Sequence, residues 1–223
     1  MSDETGGPHF LYVADPMCSW CYGFSPVIAA LAQQFAGRLP VRVVMGGLRA
    51  GNTHPMRAED KEKIRGAWTR VSAASGQPFD FAFFKREGFV YDTEPACRAV
   101  VTMRLRAPDK ALAFLASVSR AFYAENRDVT QAGVLAEIAA SHGEDAADFE
   151  QALLSAEARN TTFRDFLTAQ QAGISGFPCL LVGPSNGAYA LVSNGYRPLD
   201  GLPEALEAWL TQQGLGDGGG KAA

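Results

Sequence analysis

His9-Phe10-Leu11-Tyr12-Val13-Ala14-Asp15-Pro16-Met17-Cys18-Ser19-Trp20-Cys21 is the stretch on which the fold turns. Residues 9–14 form a short apolar and aromatic run, the pattern of a buried strand. Asp15-Pro16 ends it, and two cysteines at C-x-x-C spacing follow at once. Beyond them Val27, Ile28, Leu31 and Phe35 share one helical face, and Gly37 stops that helix. Pro26 leaves two readings of where the helix starts. It is either the first helical residue after Ser25 or a kink in a helix that begins at Cys21. The kink is the expectation here, because it keeps Cys18 at the helix N-terminus. Residues 41–45, bounded by Pro40 and Gly46-Gly47, read as a second strand. A strand, a helix and a strand in so short a span make a βαβ unit with parallel strands.

Downstream the pattern changes. From residue 57 to 173 strand signals vanish and helical ones replace them, at 59–74, 94–106, 109–125, 131–141, 146–155 and 160–172. Asp109 and Asp145 are expected N-caps, and Pro95 and Pro108 mark starts or breaks. Strands return at 178–182 and 188–192, with Gly183–Gly187 as a turn cluster, so an antiparallel hairpin is expected. A last amphipathic helix carries Leu202, Leu206, Trp209 and Leu210 and ends at Gly214. The order is β-α-β, a helical block, then β-β-α. The expected domains are a discontinuous α/β unit over 9–56 and 174–213 and a helical insertion over 57–173, with flexible tails at 1–8 and 214–223.

The net charge of −4 gives no electrostatic reason to expect nucleic acid or an anionic membrane surface as a partner. Residues 1–8 lack a basic region followed by an apolar one, and no apolar run approaches membrane-spanning length, so a cytoplasmic location is expected. In that compartment four cysteines are not a structural disulfide framework. Structural zinc needs four ligands, and Cys97, Cys179, His9, His54 and His142 are all isolated, so no metal and no other cofactor is expected.

A lone C-x-x-C is half a zinc site, a redox pair or chance, and the place of Cys18 and Cys21 between a strand and a helix of a βαβ unit favours the redox reading. A thiolate is the reacting species, and a helix N-terminus with its unpaired N–H groups and positive dipole end favours the anion. Cys18 is therefore the expected nucleophile and Cys21 the residue that resolves a mixed disulfide. Trp20 shields the centre, and the Ser19 hydroxyl is a possible donor to the thiolate. Far along the chain, Gly176-Phe177-Pro178 opens a strand with a proline, which cannot donate to a sheet and belongs at an edge or a special turn.

These residues resemble a known group. Residues 15–24, Asp-Pro-Met-Cys-Ser-Trp-Cys-Tyr-Gly-Phe, together with Gly46-Gly47-Leu48 and Gly176-Phe177-Pro178, are similar to the DsbA-like thioredoxin-fold oxidoreductases, nearest to the cytoplasmic disulfide-isomerase or FrnE-like branch. The similarity spans about residues 9–213. It implies a thioredoxin-like α/β fold with an inserted all-helical domain, and a thiol–disulfide oxidoreductase or isomerase acting on protein disulfides or glutathione-like thiols. It also implies that Pro178 is a cis-proline packed against the Cys18–Cys21 pair and that Phe177 offers its backbone to a bound substrate strand. The Ser-Trp spacer departs from the Pro-His that oxidants of this group often carry, which removes one donor to the thiolate.

Other residues have competing readings. Asp15 either assists proton transfer at Cys21 or is simply the turn residue before Pro16. Cys179 and Cys97 are expected as inert core thiols, with Cys179 pointing opposite to Pro178 and Leu180. His54 sits in a polar loop. Residues 79–84, Phe-Asp-Phe-Ala-Phe-Phe, are core of the helical part or the lining of a groove. Two further functions stay open: a glutathione-dependent transferase or isomerase of the kappa or chromene-carboxylate type, and a non-catalytic binding module or holdase on the same fold.

Overall fold

The computed structural model describes residues 7–184 and 187–215. Strand β1 (Pro8–Ala14) leads into helix α1 (Ser19–Gln34) and strand β2 (Val41–Met45). The chain then runs through α2 (Ala58–Ser75), α3 (Glu94–Arg106), α4 (Ala111–Tyr123), α5 (Ala132–Ala140), α6 (Ala146–Leu153) and α7 (Ala156–Gln171). It returns as β3 (Cys179–Pro184), β4 (Ala190–Asn194) and α8 (Leu202–Gln212). Among the described residues no helix is long and apolar enough to cross a membrane.

The sheet order is β2-β1-β3-β4. β1 and β2 pair in parallel, Phe10 opposite Val41, as a βαβ unit requires. β3 lies antiparallel to both β1 and β4, with an irregularity at Leu180/Leu181. Burial on both faces explains why β1 reads as a continuous apolar run rather than an alternation. The outer edge of β2 is covered from the helical block. Asp165 on α7 accepts from the Met45 amide at 2.8 Å, and Arg104 on α3 donates to the Val43 carbonyl. Arg104 and Asp165 also form a two-pronged ion pair at 2.8 and 2.9 Å, which fixes the two side chains that engage the β2 edge.

Helix α1 starts earlier than expected, at Ser19, and carries Pro26 in its interior. Proline has no N–H to give the carbonyl four residues back. That carbonyl, of Tyr22, is served instead by the Ser25 hydroxyl at 2.7 Å and the Gln77 side-chain amide at 3.3 Å. Nearby, Gly23 lets α1 approach α2 closely, since a Cβ there would meet Val71 at 2.7 Å.

Other boundaries shift for local reasons. Asp145 caps α6 as expected, accepting from the Asp148 amide at 3.0 Å. Asp109 does not cap α4. It lies inside a 3₁₀ turn, Pro108–Lys110, and the helix follows it. A second 3₁₀ turn, Phe81–Lys85, was not anticipated. Gly183 and Pro184, read as turn, belong to β3, while Ser185 and Asn186 lie outside the described residues. The expected tails fall mostly outside them too. Within them, Pro8 already pairs with Pro184, and Gly214 turns left-handed (φ 72°) while its amide and that of Leu215 bond back to α8.

The aromatic segment 79–84 is core rather than groove. Trp68 is fully buried, with Phe79, Phe81, Phe83, Phe84, Phe122 and Tyr123 packed around it at ring separations of 4.8–6.0 Å. This removes the surface on which the holdase reading rested.

Candidate active site

Cys18 occupies the N-cap position of α1, with extended backbone (φ −93°, ψ 117°) and no side-chain cap on the helix. Its sulfur therefore sits where the first-turn N–H groups lack partners. Both thiols are reduced and buried, Cys18 6% and Cys21 3% exposed. The Cys18 thiol donates to the Phe177 carbonyl at 3.5 Å across a sequence separation of 159 residues. The Phe177–Pro178 peptide is cis, and β3 begins one residue later, so the proline interrupts no rung of the central ladder. Burial above all, then the neighbouring Cys18 side chain, pushes the Cys21 thiol well above its usual range.

The loop that presents Cys18 is held by groups from distant parts of the chain. The Asp15 carboxylate is fully buried and accepts from the Met17 amide at 2.8 Å and the Leu48 amide at 2.7 Å, tying the loop to the segment after β2. Burial raises the Asp15 carboxyl above its ordinary value, and the Thr93 side chain, then the two amides and the Cys97 thiol, pull it partly back. The Pro16 carbonyl receives the Ser119 hydroxyl of α4 at 2.9 Å, and the Met17 carbonyl receives the Tyr91 hydroxyl at 2.5 Å. Tyr91 in turn meets the Tyr123 hydroxyl at 3.2 Å. Burial keeps both phenols protonated, so they act as donors. The helical block thus satisfies two carbonyls of the redox loop.

Of the sequence-predicted residues, Cys18, Cys21, Phe177 and Pro178 come together. Asp15 is adjacent but its oxygens are engaged by backbone amides, which is the turn reading in geometric form. Trp20 is half-buried and packs against Tyr196 at a ring separation of 5.6 Å. Among the described residues the Ser19 hydroxyl has no hydrogen-bond partner, so the expected donation to the Cys18 sulfur is not seen. Cys97 is buried as expected but is not isolated: its thiol donates to Asp15 Oδ2 at 3.4 Å, and burial raises it well above the usual thiol range. Cys179 packs with Val13 and Ala169, apart from the core cluster that contains Leu180, as strand alternation requires. His54 is an exposed loop residue. Tyr12, Tyr91, Ser119 and Tyr196 escaped sequence reading.

Two cavities flank the pair. An open groove of about 310 Å³ is bounded by Gly46, Leu48, Phe166, Gln170, Ile174 and Phe177. Gly46 has to be glycine, because a Cβ there would overlap the Phe177 ring. On the other side a mainly apolar cavity of about 230 Å³ lies between α1 and α4, with Tyr12 and Cys21 in its wall.

A thioredoxin-type sheet, a dithiol at the head of its first helix and a helical insertion define a DsbA-like redox protein as a class. The family described as DSBA-like thioredoxin domain matches residues 11–207, and the chain belongs to it. A candidate protein disulfide isomerase from Nitrosomonas europaea is similar, with 41% identity, a TM-score of 0.86 and coverage of 92% of this chain and 98% of that one. The cytosolic disulfide reductase DsbM from Pseudomonas aeruginosa matches at 27% identity and a TM-score of 0.75, covering 92% and 99%. Among curated proteins, the ClpXP adapter protein SpxH of Halalkalibacterium halodurans is 23% identical over 168 residues, and the chain spans 55% of that relative's length and 74% of its own is matched.

Proposed function

We propose that the protein is a thiol–disulfide oxidoreductase in which Cys18 attacks a disulfide and Cys21 resolves the mixed disulfide. The observation that carries this is the placement of two reduced thiols at the uncapped head of α1, with Cys18 against the Phe177 carbonyl. In the forward step a Cys18 thiolate attacks one sulfur of the substrate disulfide, forming a mixed disulfide and releasing a substrate thiolate. Cys21 then loses its proton and attacks the Cys18 sulfur. The second substrate thiol leaves, and the chain holds the Cys18–Cys21 disulfide. The substrate has gained two electrons; a second dithiol returns the enzyme to its starting state.

The substrates on this reading are protein disulfides or glutathione-like thiols. DsbM supports it, being called a cytosolic disulfide reductase and solved with GSH, at 26% identity and a TM-score of 0.73 in that form. The same similarity supports a cytoplasmic location. Extended substrate lies along Phe177 and the groove beside it.

Insulin reduction by the purified chain tests the proposal. Cys18→Ser is expected to abolish turnover, and Cys21→Ser to trap a stable mixed disulfide visible by mass spectrometry. Undiminished activity in Cys18→Ser overturns it. Glutathione-dependent turnover that survives Cys21→Ser would favour the transferase or isomerase reading instead.

A further inference from the structure

Resting on that reading, we infer that Phe166 of the helical block selects the substrate. A large apolar side chain flanking the half-cystine of a polypeptide seats in the groove lined by Phe166 and Phe177, and the chain prefers such disulfides to those of glutathione. The groove begins beside the reacting sulfur. Phe177 gives its carbonyl to Cys18 at 3.5 Å and its half-buried ring to the groove wall. Two glycines set the rings. A Cβ on Gly46 would overlap the Phe177 ring, and one on Gly47 (φ 68°) would meet the Phe166 ring at 2.8 Å. Helix α7 is pinned one residue from Phe166, where Asp165 accepts from the Met45 amide at 2.8 Å and pairs with Arg104. The groove is therefore formed before substrate arrives, and binding has little ordering left to do.

Its chemistry decides what fits. Leu48, Ile174 and the two rings give it apolar walls, Gln170 and Ser175 are its polar side chains, and among the described residues no charged side chain lines it. Glutathione carries two carboxylates and an ammonium, and such groups bind where opposite charges or several hydrogen-bond partners meet them. A volume of about 310 Å³ is at the low end for ligand sites and leaves room for one large side chain. The apolar surface also runs on past the groove. Phe163 and Leu167 lie on one side of α7 at i, i+4 spacing, 50% and 51% exposed, and Phe163 meets Phe166 edge-to-face at 5.9 Å. Leu48, on the groove wall, is 42% exposed. Large apolar side chains left together in water beside a reactive thiol mark a contact surface. Its extent along α7 suits a polypeptide segment, which one small thiol would leave mostly uncovered.

The probes are mixed disulfides of nitrothiobenzoate. Cys18 attacks the other sulfur, a Cys18–probe disulfide forms, and the coloured aromatic thiolate leaves because it is the better leaving group. One probe carries a capped tripeptide with cysteine between two leucines, the second has serines in their place, and the third carries glutathione. The symmetric aromatic disulfide, dithiobis-nitrobenzoate, is the reference: it releases one coloured thiolate when Cys18 attacks and a second when Cys21 resolves. In stopped flow the wild-type second-order rate for the leucine probe should exceed those for the serine and glutathione probes about tenfold, the lower end for burying one such side chain. Phe166→Ser should bring the leucine-to-serine ratio down toward one by raising the half-saturating concentration of the leucine probe rather than lowering its limiting rate, a split that a displaced Cys18 would not give. Leu48→Ser, at an exposed side chain of the same groove, should lower the ratio too, and this measurement stands even if Phe166→Ser folds poorly. A wild-type ratio near one, a ratio that neither variant lowers, or a glutathione probe as fast as the leucine probe overturns the inference and leaves the dithiol mechanism intact. A wild-type dimer in sedimentation that Phe163→Ser dissociates also overturns it, because a second copy then covers the surface. A reference disulfide that yields no second coloured thiolate overturns the dithiol mechanism itself.

Discussion

Asp15→Ala isolates the link between the redox loop and the segment after β2. The wild-type carboxylate accepts two backbone amides, from Met17 at 2.8 Å and Leu48 at 2.7 Å. Met17 is fully buried, so its amide has nowhere else to turn and should cost about 1–3 kcal/mol when orphaned. Leu48 is 42% exposed, and water can reach its amide, so that loss is smaller. Removing a buried charge returns part of the cost. The net expectation is about 2–3 kcal/mol lost at neutral pH, read from urea unfolding at unchanged m-value. The pH dependence gives a second check. Burial raises the Asp15 carboxyl above 3.8, so the folded chain holds this proton more tightly than the unfolded chain does. The group's contribution to stability is therefore full below 3.8 and is lost as pH rises from there through the folded value. Asn at this position cannot titrate, so the stability gap between wild type and Asp15→Asn should widen on acidification from neutral pH. A loss below about 1 kcal/mol in Asp15→Ala, or a gap that narrows on acidification, would refute the reasoning.

Gly46→Ala should force the Phe177 ring aside, costing about 1–3 kcal/mol in thermal or urea unfolding, and should slow the first thiolate burst with the aromatic disulfide because the Phe177 carbonyl faces Cys18. Asp165→Ala should cost about 3 kcal/mol in urea unfolding, at the low end for a broken buried pair, because Arg104 and Asp165 are 23% and 11% exposed. It also leaves the Met45 amide on the sheet edge without its partner, so aggregation on light scattering should rise with it.

The parts of the fold that were legible in the sequence are those written in contiguous residues. β1, α1 and β2 follow from one apolar run, one helical face and one pair of glycines, and the order of elements follows from where strand patterns stop and resume. β4 was displaced by two residues, to Ala190–Asn194, because it is an edge strand whose Leu191 is 61% exposed. Hydrophobicity does not mark the buried face of such a strand. The 3₁₀ turn at Phe81–Lys85 was missed because its phenylalanines serve Trp68, and nothing local distinguishes them from helix or loop.

The same division runs through the candidate site. Cys18 and Cys21 announce themselves by spacing, whereas the groups that hold them come from far away: Ser119 lies 103 residues from the carbonyl it serves, Tyr91 lies 74 and Gln77 lies 55. Spacing singles out the two sulfurs and does not show what shapes the loop that presents them. This gives the helical block a part in shaping the loop that carries Cys18. The carbonyls of Pro16 and Met17 accept from Ser119 and Tyr91, and without those hydroxyls they would lose these partners in a buried setting, each at a cost of about 1–3 kcal/mol. The loop would then relax toward water and carry Cys18 away from the Phe177 carbonyl. The insertion is therefore a structural condition for bringing Cys18 and Phe177 together, and substitutions at Ser119 or Tyr91 belong with those at Asp15 as perturbations of one loop.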